Sequence, residues 1–179
     1  VMFYSDKTNQ AVVDALASAP PVADERTTRV PDRVFAYNND PLETDVLHFG
    51  PERVSDEDSL YCVVVSDRSG RRVSANIECG YKGGCRSLAR SELERLRSEF
   101  PEITVLNSPY VALSDENVAV ISQFSELQIL DVQTIRLTTA STLPLSRLNQ
   151  LRLLIGNFDD ASRTVVKKAL PDCKIVDMR

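Results

Sequence analysis

The residues of this 179-residue chain that could do chemistry are one histidine, four cysteines and a glycine-rich loop. His48 stands among Asp40, Glu43 and Asp45, and no nucleophile–base pair can be drawn around it. The cysteines, at 62, 79, 85 and 173, lack metal-ligand spacing. Neither a catalytic centre nor a metal or cofactor is therefore expected. An even cysteine count would suit two disulfides in a secreted domain, with Cys79 and Cys85 closing the glycine loop. With no disulfide framework evident, a cytoplasmic setting is favoured. The loop runs Gly80-Tyr81-Lys82-Gly83-Gly84-Cys85-Arg86-Ser87 between a predicted strand and a predicted helix. Free N–H groups at a helix start, with two cations, can cradle a phosphate. Gly80, Lys82, Gly83, Gly84, Arg86 and Ser87 are thus a candidate anion site, although the spacing is not that of a P-loop. The same glycines also suit a plain irregular connection.

Composition narrows the classes further. The chain is 42% hydrophobic and 26% charged, as globular domains are. Residues 1–59 carry 5 basic and 12 acidic groups, and residues 60–179 carry 16 and 14. A sequence pI near 5.0 lacks the basic footprint of a nucleic-acid binder. No apolar run approaches the length of a transmembrane helix. Val1 in place of Met predicts a trimmed or mature form.

The elements that must hold any site follow from patterning. A short helix is predicted over 5–18, with Val12, Val13 and Leu16 as its apolar residues, then a linker over 19–33. Short apolar runs lie at 34–37 and 46–49. Strands are predicted over 60–66 and 72–79 around the turn Asp67-Arg68-Ser69-Gly70. The strongest helix signal is 87–100, with Leu88, Leu93, Leu96 and Phe100 on one face. Ser114 and Asp159 are good N-caps for two further helices, and a middle return over 138–148 is shortened by Pro144.

One pattern recurs through the last eighty residues. Phe100-Pro-Glu-Ile103-Thr-Val105-Leu-Asn, Phe124-Ser-Glu-Leu127-Gln-Ile129-Leu-Asp, Leu148-Asn-Gln-Leu151-Arg-Leu153-Leu-Ile and Leu170-Pro-Asp-Cys173-Lys-Ile175-Val-Asp align without gaps, their starts 24, 24 and 22 residues apart. Apolar residues fall at the first, fourth and sixth positions, so residues 100–179, extending toward residue 72, resemble a divergent leucine-rich repeat. The ninth position departs from the consensus Asn or Cys, holding Ser108, Val132, Gly156 and Met178. The resemblance implies an α/β solenoid of about five parallel strands, with helices on its outer face and an antiparallel N-terminal cap strand at 60–66. Residues 1–59 then form an acidic segment packing on a repeat domain of 60–179. A doubly wound α/β domain reads similarly, but its crossover units usually exceed this period.

The resemblance places function on the concave strand face. Leu106, Leu130, Leu154 and Val176, at the seventh position, would form an apolar row there. Beside them would run polar rows of Glu102, Glu126, Gln150 and Asp172, and of Thr104, Gln128, Arg152 and Lys174. Ile103, Val105, Leu127, Ile129, Leu151, Leu153 and Ile175 would point inward. The expected function is non-catalytic recognition of a protein partner, with a phosphate or small-molecule site at the glycine loop as the alternative. Packing of residues 1–59 over the apolar row remains open.

Overall fold

The computed structural model describes residues 44–49, 60–66, 70–79, 87–108 and 111–178. In chain order these form β1 (Thr44–Phe49), β2 (Leu60–Ser66), β3 (Arg72–Cys79), α1 (Arg90–Glu99), β4 (Val105–Asn107) and α2 (Asp115–Ile121). There follow β5 (Ile129–Leu137), α3 (Thr139–Leu145), β6 (Leu153–Phe158), α4 (Asp160–Ala169) and β7 (Lys174–Asp177). All seven strands form one sheet whose spatial order is the sequence order. The fold is α/β with a mostly parallel sheet: β3 to β7 run parallel, and β1 and β2 add antiparallel at the β3 edge. Two antiparallel strands stand where the sequence predicts one. The apolar run at 46–49 lies in β1, which takes residues 44–49 of the N-terminal segment into the sheet.

Local chemistry explains where the helices begin. Ser114 Oγ accepts from the backbone N–H of Asn117, while Asn117 Oδ1 accepts from the N–H of Ser114 at 2.7 Å. Thr138 and Ser141 exchange the same pair of bonds ahead of α3. Asp159 Oδ1 accepts from Ser162 N at 2.7 Å, ahead of α4. Each cap satisfies N–H groups that would otherwise have no partner. Pro144 lies in the last turn of α3, and the chain leaves it through tight three-residue bonds, Ser146 N to Leu143 O and Arg147 N to Pro144 O.

The four helices among the described residues pack on the same side of the sheet. The main core joins Leu93 and Leu96 of α1, Val118 and Ile121 of α2, Leu145 of α3 and Val166 of α4 to Ala75, Ile77, Leu106, Leu130 and Leu154 of the strands. A second, separate cluster of Val105, Ile129, Leu153 and Ile155 lies on the opposite face, and it contains no helix residue. No helix among the described residues is long and apolar enough to cross a membrane.

Candidate interaction face

The face of the sheet that carries no helix among the described residues (the helix-free face below) is built by a backbone irregularity that recurs. The N–H groups of Gln128 and Ile129 both donate to the carbonyl of Thr104, at 2.8 and 3.1 Å. One period later, those of Arg152 and Leu153 both donate to the carbonyl of Gln128, again at 2.8 and 3.1 Å. Two residues opposed to one is the signature of a bulge, and it shifts side-chain alternation by one position. Ile103, Leu127 and Leu151 therefore share the helix-packed side with Leu106, Leu130 and Leu154. Val105, Ile129 and Leu153, between them, turn to the other face.

This corrects the expected phase. Leu106, Leu130 and Leu154 are core residues beneath the helices and form no exposed row. Val105, Ile129 and Leu153 are buried as expected, but on the face away from the helices. The last unit slips as well. Leu153 pairs with Lys174 and Leu154 with Ile175, so half-buried Ile175 joins the helix side and half-buried Val176 joins the other.

Two rows cross the helix-free face in register. The first is Ser74, Val105, Ile129, Leu153 and Lys174; the second is Asn76, Asn107, Asp131, Ile155 and Val176. The second row begins polar. Asn107 Nδ2 donates to Asn76 Oδ1 at 3.1 Å, and Gln133 Nε2 donates to Asp131 Oδ2 at 2.9 Å. Asp131 Oδ1 is buried and has no hydrogen-bond partner among the described residues. Burial pushes the Asp131 carboxyl up to about 6, against the opposing pull of its hydrogen bonds with Gln133. At the other edge, Tyr61 donates its hydroxyl to Glu78 Oε2 at 3.0 Å; burial first, then the Glu78 charge, raises the phenol's pKa.

The polar positions at the strand starts form a rim. Glu102, Glu126, Thr104, Arg152 and Lys174 are half-buried, Gln150 is exposed and Gln128 is buried. Glu126 faces Arg71 at 3.6 Å, and Thr104 Oγ1 donates to the Val73 carbonyl at 3.0 Å. Of the candidate anion site, Ser87 is exposed, and Gly80, Lys82, Gly83, Gly84 and Arg86 lie outside the described residues. So do Cys85 and the side chains of His48 and Cys79. Cys62 and Cys173 are free, buried thiols. Burial raises both, Cys173 to about 12, which suits small apolar groups of the core rather than nucleophiles. Among the described residues no cluster of His, Cys, Asp and Glu is arranged to hold a metal ion.

The Asn76–Asn107–Asp131 row is the feature that sequence reasoning missed. Its signal was present, because the eighth repeat position reads Asn107, Asp131, Ile155 and Asp177. No family model, curated protein or solved structure matches the chain.

Proposed function

We propose that the chain is a non-catalytic protein-interaction module, a short leucine-rich-repeat-like solenoid that recognises its partner along the polar rim where the strands begin. The observation that carries this reading is the repetition in register. Ile129 sits beside Val105 and Leu153 beside Ile129, each 24 residues further on. The residues just before them must then stack at a strand spacing of about 4.8 Å. Glu102, Glu126 and Gln150 make one row and Thr104, Gln128 and Arg152 the next, with Lys174 beside Leu153 at the end of the sheet. Side chains repeated along a line suit an extended protein surface, and their mixed charge supplies specificity and steering.

The test compares the full chain with a Glu102→Lys/Arg152→Glu double variant. Both serve as bait against an extract of the source cells, followed by quantitative mass spectrometry. The reading expects at least one protein to be captured by the parent and lost on charge reversal, with both baits melting alike. Identical capture profiles would refute the rim as the recognition surface.

A further inference from the structure

Asn76, Asn107 and Asp131 cross three adjacent strands in register, so their side chains stand about 4.8 Å apart on one face. All three are buried, exposed by 6%, 1% and 3%. The bonds among them have a direction. Gln133 donates its amide N–H to Asp131 Oδ2, and Asn107 donates its own to Asn76 Oδ1. With its NH2 group turned to Asn76, Asn107 has its carbonyl oxygen left to meet the Asp131 side chain on the next strand. Asn107 Oδ1 and Asp131 Oδ1 are both buried atoms. Two acceptor oxygens attract each other only through a hydrogen between them, and a carboxyl group carries one when it is protonated. The main chain joins the two strands at the same point, Ser108 N donating to the Asp131 carbonyl at 2.8 Å.

The described groups around Asp131 are uncharged: Asn107 on β4, Ile155 on β6 and Gln133 on its own strand. Glu78, which holds the Tyr61 hydroxyl, is two strands and two residues away on the same face, and so is Lys174. Each is about 12 Å from Asp131 between Cα atoms. The rim charges Arg71, Glu102, Glu126, Arg152 and Asp172 lie at the starts of the strands, and Asp177 faces Arg163 at 3.9 Å. Arg136, the other charge on β5, follows the register shift, and its side chain is outside the described residues. Burial is the leading influence on the carboxyl, and it favours the protonated form.

We propose that Asp131 and Asn107 form a proton-operated clasp between β4 and β5, in which the neutral carboxyl donates from Oδ1 to the carbonyl oxygen of Asn107 and ionisation breaks that bond. With the clasp closed, donors run one way, from Gln133 through Asp131 and Asn107 to Asn76, and each bond polarises the next. With it open, two buried oxygens oppose each other and one of them is charged. The end of β4 then loosens at Ser108, whose N–H is held by the Asp131 carbonyl. The clasp stands on the helix-free face, away from the rim, and does not depend on the partner reading.

The test is nuclear magnetic resonance of the full chain, labelled with carbon-13 and nitrogen-15 and titrated from pH 4 to 8. The Asp131 carboxyl carbon should titrate about two pH units above an ordinary aspartate. The side-chain NH2 signals of Asn107 should move with the same midpoint. Exchange of the Ser108 amide, corrected for its intrinsic pH dependence, should quicken by on the order of tenfold above that midpoint. In Asp131→Asn an amide hydrogen replaces the acid proton, so Asn107 should keep its low-pH signals and Ser108 its protection at every pH. Arg136→Gln should leave the parent's titration in place. A midpoint at or below that of an ordinary aspartate would overturn the proposal, because the two asparagine amides would then be reversed and Asn107 would donate to a carboxylate. So would an Asn107 side chain indifferent to pH while Asp131 titrates, one that still titrates in Asp131→Asn, or a titration abolished by Arg136→Gln.

Discussion

Asp131→Asn should flatten the acid side of the stability profile and stabilise the protein at neutral pH. The Asp131 carboxyl is buried, and its pKa rises from 3.8 to about 6 in the folded chain. Between those values the native state holds a proton that the unfolded state has released. Stability must therefore be fully present below about pH 4 and fall as pH rises through about 6. A displacement of about two pH units corresponds to roughly 3 kcal/mol lost by neutral pH. Asparagine is neutral throughout and nearly isosteric, and its amide can accept from Gln133 as the carboxylate does. The variant should match the parent at pH 4 and exceed it by about 1–3 kcal/mol at pH 8. Urea unfolding followed by circular dichroism at intervals from pH 4 to 8 measures the difference directly, and taking the difference cancels every other titrating group. A difference that is flat with pH, or a variant less stable than the parent at pH 8, would refute the claim that Asp131 is buried at a cost.

Five further outcomes follow from the packing. Leu130→Ala should cost about 2–5 kcal/mol in urea unfolding, since Leu130 lies in the helix-packed core, and Leu143→Ser should change stability by less than about 0.5 kcal/mol, since Leu143 is 58% exposed on α3. Cys62 and Cys173 should react with Ellman's reagent many times more slowly in the native chain than in denaturant, because both thiols are buried with raised pKa values. Ser114→Ala should lower stability by about 1 kcal/mol, measured by thermal melt, because it removes the acceptor for Asn117 N. Gly156→Val should cost about 1–3 kcal/mol, because even a Cβ there meets Leu137 Cδ1 at 3.2 Å.

The period of this fold was legible in the sequence and its phase was not. Apolar residues 24 apart were enough to place β4, β5 and β6 side by side, and the caps at Ser114 and Asp159 were enough to start α2 and α4. Each strand, however, presents adjacent apolar residues: Val105-Leu106, Ile129-Leu130 and Leu153-Leu154. When both faces of a strand are buried, alternation carries no information about which face meets the helices. The bulge that decides it is a backbone feature, two N–H groups sharing the carbonyl of Thr104 or of Gln128, and no residue type marks it. The slip at β7 was hidden for a similar reason. Lys174 occupies the place that Leu153 holds one strand earlier, and an apolar template aligns Ile175 there instead. The Asn76–Asn107–Asp131 row was visible as polar residues at equivalent positions, but a resemblance read at the ninth position draws attention one residue too far along.

The recognition reading is tested most directly by one affinity. A protein captured by the parent chain should be purified and titrated against the parent and the Glu102→Lys/Arg152→Glu variant at two salt concentrations. The account predicts a loss of about tenfold or more in the variant, with a weaker salt dependence and an unchanged melting temperature. Equal Kd values for the two chains would contradict it.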